Sequence, residues 1–188
     1  MACTGGDLCS SNVDGGVRSG DLTYVSGGIT ARATGRFLNT VAAVVQDSQS
    51  NWTLQNSAGL GVCHLSNNGS DDNITSGEQL TISFDQVVHL TSIGLRSEGH
   101  NFTNWSSGAT FLLNGVSTLL PQNVGAIALN QTGKVFSFAY GGAHSDQFYL
   151  SSMSVSSASV AAVPEPETYA LMLAGLGLTG WIARRRRG

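Results

Sequence analysis

Three acidic residues are the best candidates for metal ligands in this chain. Asp71 and Asp72 stand in a polar turn, and Glu78 follows shortly afterwards. Carboxylate oxygens on a loop are ligands that Ca²⁺ prefers, although the spacing here does not fit the longer EF-hand pattern. The sequence therefore predicts a solvated turn, with a Ca²⁺ site formed by Asp71, Asp72 and Glu78 as the alternative, and no other cofactor.

Trp105 is the side chain best suited to contact a ligand. It stands in the polar segment 101–106, where a large exposed aromatic ring needs a functional reason. A tryptophan buried in the core is nevertheless the favoured interpretation. The alternative is an exposed ring that stacks on a sugar, as in carbohydrate-binding modules, in contact with extracellular polysaccharide.

The three cysteines allow two kinds of disulfide. Cys3 and Cys9 flank a glycine-rich spacer that can close a small loop, which predicts a bond between them. Pairing of either residue with Cys63 closes a longer loop and is one alternative, and inert buried thiols without a disulfide are the other. No cysteine has a His or Cys neighbour at zinc spacing, so we expect no zinc site.

No catalytic constellation is recognisable in the sequence. Its four histidines lack metal-binding spacing, and no Gly-x-Ser-x-Gly nucleophile motif occurs. Charged residues make up 11% of the 188 residues and the formal net charge is −3, which excludes a nucleic-acid binder that relies on basic patches. We therefore expect a protein that is not an enzyme and does not bind nucleic acid.

The C-terminal segment has three parts with different physical properties. Residues 163–167 are Val-Pro-Glu-Pro-Glu, and the two prolines keep this stretch extended and exposed. Residues 168–183 carry no charge and, as a helix, span about 24 Å, just short of the ~30 Å hydrocarbon core of a bilayer. Trp181 suits the membrane interface. Four consecutive arginines then resist translocation: Arg184, Arg185, Arg186 and Arg187.

This order of parts predicts a single C-terminal transmembrane helix. The arginines stay in the cytoplasm, so the rest of the protein lies on the outer side of the inner membrane. A buried core helix is the alternative for an apolar stretch of this length. It is disfavoured because four arginines and the chain end follow the helix at once.

The same three parts resemble the PEP-CTERM sorting signal of Gram-negative bacteria. The resemblance rests on Val163, Pro164, Glu165 and Pro166, on the short apolar helix and on the terminal arginines. It implies that a membrane enzyme, an exosortase, recognises and cuts the tail after the protein has been anchored transiently in the inner membrane. Members of this family are exported proteins of the cell surface or of an exopolysaccharide-rich matrix such as a biofilm. This chain is expected to share that location.

The first residues of the chain do not show the Sec signal peptide with which members of the family normally begin. Residues 1–7 contain neither its basic region nor its apolar region. We therefore expect that the start as given is misassigned, truncated or already processed, rather than that the protein is cytoplasmic.

The body that must position these residues has the pattern of a β protein. Residues 79–85 alternate apolar and polar side chains, and 87–96 continue with a shift of one residue that predicts a β-bulge or a bend. Asn114-Gly115 between two apolar stretches predicts a type I′ hairpin. Further strands are predicted at 22–29, 36–45, 52–55, 109–113, 116–120, 134–140 and 146–155. Many short strands predict an all-β fold, an antiparallel β-sandwich of the jelly-roll kind.

The complete chain is therefore expected to have three segments. A β-sandwich body occupies residues 1–155, and a flexible linker rich in Ser and Ala follows at 156–163. The sorting and anchor segment occupies 164–188.

Overall fold

The computed structural model divides the chain into two compact units, Met1–Ala158 and Ser159–Gly188. The residues that it describes are 2–3, 16–18, 21–47, 58–64, 73–97, 105–122, 125–158 and 166–185. Among these residues, the first unit contains β-strands and no helix, and the second contains one helix. The strand predicted at 52–55 lies outside the described residues.

Eleven strands of the described residues belong to one sheet. They are β1 (Ala2–Cys3), β2 (Gly16–Arg18), β3 (Leu22–Ser26), β4 (Ile29–Phe37), β5 (Thr40–Asp47), β6 (Gly59–Cys63), β7 (Glu78–Arg96), β8 (Thr110–Leu113), β9 (Val116–Leu119), β10 (Ile127–Tyr140) and β11 (Tyr149–Ser157). Every pairing between these strands is antiparallel, as the sequence predicted. β11 ends at Ser157, past the predicted end of the body at 155.

Five of the strands close into a barrel. The order β4–β5–β6–β11–β7 returns to β4, because β4 and β7 pair from Ala31 opposite Phe84 to Phe37 opposite Glu78. Beyond β7, the sheet continues through β10 and β8 to β9. Beyond β4, it continues through β3 to β1. The remaining strand, β2, pairs with β5. The predicted jelly-roll sandwich is therefore not confirmed, because the β4–β7 pairing joins the strands into one closed sheet instead of two packed sheets.

Tight turns with left-handed backbone form the hairpins. Asn114 and Gly115 have φ of 51° and 78°, as a type I′ turn requires, and Leu113 lies opposite Val116. The predicted hairpin is thus confirmed. Gly27 and Gly28 reverse the chain between β3 and β4 in the same way, with φ of 57° and 78°. The sequence predicted one strand over 22–29. This prediction is wrong, because the turn at Gly27 and Gly28 divides that range between β3 and β4.

The turn at Leu38 and Asn39 was missed by the sequence analysis, which predicted an uninterrupted strand at 36–45. Leu38 has φ of 52°, and the turn joins β4 to β5 with Phe37 opposite Thr40. A bulky residue at positive φ is uncommon, so its sequence carries no turn signal. The Leu38 N–H donates to the Gly77 carbonyl at 2.7 Å, which fixes the turn against the start of β7.

β7 is one long strand where the sequence predicted two, at 79–85 and 87–96. Its first half pairs with β4 and its second half with β11, and β10 pairs with both halves. The predicted bulge is confirmed: Ser154 lies opposite Ser92 and Val155 lies opposite Leu90, so Thr91 has no opposing residue in β11. The bulge returns the apolar side chains that follow it to the core.

The core is filled by the inward side chains of the long strands and of the segments that join them. The largest fully buried side chains are Tyr149, Phe111, Phe136, Phe138, Phe148, Ile74, Leu80, Leu90, Ile93, Leu95 and Leu113. Phe84 meets Phe136 edge-on, with ring centroids 6.0 Å apart. Such aromatic pairs contribute about 0.5–1.5 kcal/mol beyond the area that they bury.

Asn73 and Ile74 complete the barrel wall between β6 and β11. The register of these two strands pairs them at Leu60 and Leu150. Beyond that pair, the Val62 N–H donates to the Asn73 carbonyl at 3.1 Å, and Ile74 forms a β-bridge with Phe148. The segment that precedes β7 is therefore part of the wall, and it leads directly to Thr75 and Glu78.

The second unit contains one helix, α1 (Pro166–Arg185). Within the described ranges, no helix combines the length and the apolar character needed to cross a bilayer. The transmembrane helix predicted from the sequence is thus not confirmed.

Candidate functional site

The predicted sorting segment lies partly within the described residues. Val163, Pro164 and Glu165 lie outside them, and Pro166 is the first residue of α1. Proline suits the first turn of a helix, because its φ is fixed near the helical value and an N–H at that position has no partner inside the helix. The helix therefore begins within the Pro-Glu-Pro tripeptide.

The apolar side chains of α1 are exposed on more than one side of the helix. Leu171, Met172 and Leu173 are consecutive and are 74%, 59% and 67% exposed, and consecutive helical residues point in different directions. Leu176, Trp181 and Ile182 are exposed as well. A helix that is apolar all round is normally buried in a protein core or a membrane. The surface of α1 is therefore suited to an apolar partner.

The C-terminal end of α1 combines an aromatic ring with cationic side chains. The guanidinium carbon of Arg185 lies 5.5 Å from the centroid of the Trp181 ring, a cation–π contact between residues one turn apart. Arg184 and Arg185 occupy the last turn, where cations complement the helix dipole. Arg186 and Arg187 lie outside the described residues. Aromatic and basic residues together are typical of a membrane interface.

In the body, Glu78 is a buried carboxylate with hydrogen-bond partners on both oxygens. The residue is 1% exposed. Oε2 accepts the backbone N–H of Thr75 at 2.8 Å, and Oε1 lies 2.9 Å from Nδ1 of His64. When Nδ1 carries a proton, the imidazole donates to Oε1, so that both oxygens of this buried side chain have a hydrogen-bond partner.

His64 is held by an aromatic neighbour as well as by Glu78. Its ring stacks on the Phe37 ring, with centroids 3.8 Å apart and an interplanar angle of 4°. Phe37 ends β4, His64 follows β6 and Glu78 begins β7, so the cluster joins the ends of three barrel strands. The sequence analysis missed this pairing. One part of the cluster is local in sequence. The Glu78 N–H donates to the Thr75 carbonyl at 3.0 Å, and this turn fixes the position of Glu78.

The Ca²⁺ site, which is the alternative to a solvated turn, has one of its three residues, Glu78, within the described ranges. Asp71 and Asp72 lie outside the described residues, whereas Glu78 has its two oxygens engaged with His64 and Thr75. Among the described residues, no three His, Cys, Asp or Glu side chains lie together as metal ligands would. The Glu78 carboxylate is thus held by hydrogen bonds, and the solvated turn at Asp71 and Asp72 stays a prediction, with the Ca²⁺ site as its alternative.

Trp105 lies in the core, in agreement with the favoured interpretation of its sequence. It is 5% exposed, and its indole N–H donates to the Gln147 carbonyl at 3.1 Å. Asp146 supports this contact, because its carboxylate accepts the backbone N–H groups of Ser106 at 3.2 Å and of Gln147 at 2.9 Å. A buried ring has no free face on which a sugar can stack, so the structure gives no support to the alternative, a role of Trp105 in ligand contact.

The disulfide prediction falls mostly outside the described residues. Cys9 is one of those outside, and for Cys3 the structure describes only the backbone of β1. Cys63 lies in β6 and is buried. The bond between Cys3 and Cys9 stays a prediction.

The described residues form a β-barrel unit and a second unit with one apolar helix that ends in arginines. The family model of the PEP-CTERM protein-sorting motif matches residues 162–187. The chain therefore carries this motif, as its tail indicated, and the motif marks exported proteins that an exosortase processes. No curated protein and no solved structure matches the chain.

Proposed function

We propose that this chain is a non-enzymatic, exported protein of the bacterial surface or extracellular matrix, delivered through exosortase processing of its tail. The observation that carries the proposal is the PEP-CTERM motif at residues 162–187. The family that shares this signal is associated with exopolysaccharide and biofilm matrix, so we assign the mature body to that environment. The exosortase is the processing partner in this proposal.

The second part of the proposal is that α1 holds the protein at the inner membrane before cleavage. Its uncharged stretch, residues 168–183, spans about 24 Å at 1.5 Å per residue, which is less than a ~30 Å hydrocarbon core. Anchoring therefore depends on long cationic side chains that extend from the helix end to the headgroups. The contact of Arg185 with Trp181 supports this, because it gathers charge and aromatic surface at one level of the helix.

The third part of the proposal concerns the β-barrel body, which is assigned no ligand. Polysaccharide binding through Trp105 is not retained, because that side chain is buried and its N–H is bonded to Gln147. The body is proposed as a stable module that remains after the tail has been cut.

The test is cleavage of the full chain, fused to a working secretion signal, in a host with and without an exosortase. Mass spectrometry of the envelope and secreted fractions is expected to show loss of the tail only when the enzyme is present. Glu165→Gln alters the tripeptide and is expected to abolish cleavage, whereas Glu167→Gln, just outside it, is the matched control and is expected to be cut normally. A tail that stays intact with the enzyme present contradicts the proposal.

A further inference from the structure

β9 leaves one row of its backbone hydrogen-bonding groups without a strand to pair with. It pairs with β8 in a register that places Val116 opposite Leu113 and Thr118 opposite Phe111. The Leu120 N–H continues this ladder by donating to the Ala109 carbonyl at 2.8 Å. Because hydrogen-bonded residues alternate along an antiparallel strand, the N–H and C=O groups of Ser117 and Leu119 point away from β8. No other strand among the described residues pairs with this edge.

Apart from its shortness and the proline that follows it at 121, the edge lacks the features that normally protect an edge strand. Such strands usually carry charged side chains, a proline or a bulge. Here no Asp, Glu, Lys or Arg occurs between Glu98 and Lys134, and β9 itself contains no proline. Val116 and Leu119 are 66% and 65% exposed, although both are apolar. The composition therefore favours association of this edge.

The spacing of the outward groups is self-complementary, and from this we propose that β9 pairs antiparallel with β9 of a second copy of this chain. With Thr118 on the two-fold axis, Ser117 lies opposite Leu119 of the second copy, and the reverse pair is identical. Both members of each pair then point their N–H and C=O groups at one another, as a ladder requires. The two Leu119 side chains become diagonal neighbours on one face, within reach of each other.

The size of this edge sets the strength of the association. A strand of four residues supplies far less surface than the roughly 1,200 Å² of a stable interface. The pairing is therefore weak and concentration-dependent, and it extends the sheet β7–β10–β8–β9 across two copies.

The first experiment measures self-association of the full chain by sedimentation in detergent over a range of concentrations. Leu119→Lys places like charges across the proposed pair and is expected to weaken association at least about tenfold. Val135→Lys is the matched control, because Val135 is 55% exposed but lies in β10, away from this edge. Any association through α1 is common to both variants. Equal association of the two variants, or a monomer at every concentration, overturns the proposal.

The second experiment tests the register. Thr118→Cys is expected to form a disulfide between copies on mild oxidation, because the two Thr118 positions face each other on the axis. Ser117→Cys faces Leu119 of the second copy instead and is expected to crosslink far less. Peptide mass spectrometry distinguishes a link through position 118 of both copies from links through the natural cysteines. Equal crosslinking of the two variants overturns the proposed pairing.

Discussion

Asn114 is hydrogen-bonded twice to Ser137, once through its backbone and once through its side chain. The Asn114 N–H donates to the Ser137 carbonyl at 2.9 Å, and Oδ1 accepts the Ser137 N–H at 2.8 Å. Nδ2 of the same side chain donates to Oε1 of Gln131 at 3.0 Å. The turn residue of the β8–β9 hairpin thus continues the ladder to β10 with its side chain.

The first prediction concerns this contact. Asn114→Gly keeps a residue that adopts positive φ but loses Oδ1, and it is expected to lower the free energy of unfolding by about 1 kcal/mol. Asn114→Asp keeps an acceptor for Ser137 and is expected to lose less. Urea unfolding of both variants measures the difference. A glycine variant as stable as the parent would show that the turn needs only its backbone conformation.

The second prediction concerns backbone strain at Leu38. This residue has φ of 52° and is 68% exposed, so its side chain gains little burial to offset the cost of a left-handed conformation. Leu38→Asn is expected to raise the free energy of unfolding by about 0.5–1 kcal/mol, because asparagine tolerates this conformation. Val41→Asn, at an exposed strand position, serves as the control and should give no gain. Equal effects of the two substitutions count against strain at Leu38.

The third prediction concerns the buried carboxylate of Glu78. Glu78→Ala removes the acceptor used by the Thr75 N–H and by His64, and it is expected to lower the free energy of unfolding by about 3 kcal/mol. Glu78→Gln keeps the shape and one acceptor oxygen, so the expected loss is smaller. Chemical denaturation measures both. A loss below about 1 kcal/mol for the alanine variant would contradict a structural role for the cluster.

The fourth prediction concerns pH and the exposed Asp21–Arg32 pair. The hydrogen bond from Arg32 lowers the pKa of the Asp21 carboxyl. The pair therefore stabilises the fold above the unfolded carboxyl pKa of about 3.9, and this contribution is lost as pH falls through the lower pKa of the folded state.

Asp21→Asn tests this pH dependence. Because the pair is exposed, the variant is expected to be less stable by under about 1 kcal/mol at neutral pH and equal to the parent below both pKa values. Urea midpoints of the parent and the variant across this pH range provide the measurement. The difference should also shrink at high salt, because added ions screen exposed charges. A difference that does not vary with pH would assign the effect to something other than the charge of Asp21.

Local patterns predicted the features that are set by neighbouring residues. The Asn114-Gly115 hairpin, the alternation in 79–85 and the bulge at Thr91 are each determined within a few residues, and each is confirmed. The motif in the tail is also local, because its three parts are consecutive.

Barrel closure and the Glu78 cluster were not predictable in the same way. The pairing of Ala31 with Phe84 joins distant parts of the chain, and no period in either segment specifies its partner. The sequence favoured a core position for Trp105, but the carbonyl that its N–H meets belongs to Gln147, 42 residues away, and was not predictable. A glutamate can be a metal ligand, which suggested that role for Glu78. In the structure its partner is His64, which lies beside it because β6 ends at Cys63.

The barrel is closed by β11 (Tyr149–Ser157), the last strand of the body, which pairs with both β6 and β7. During synthesis, the nascent chain lacks this strand until nearly all of the body has left the ribosome. The ring of strands stays open for that entire time, because in the described sheet β6 and β7 are joined only through β11, although β4 can already pair with β7. A polypeptide that completes its fold so late is available, while it is being made, to a translocation channel that accepts only unfolded chains.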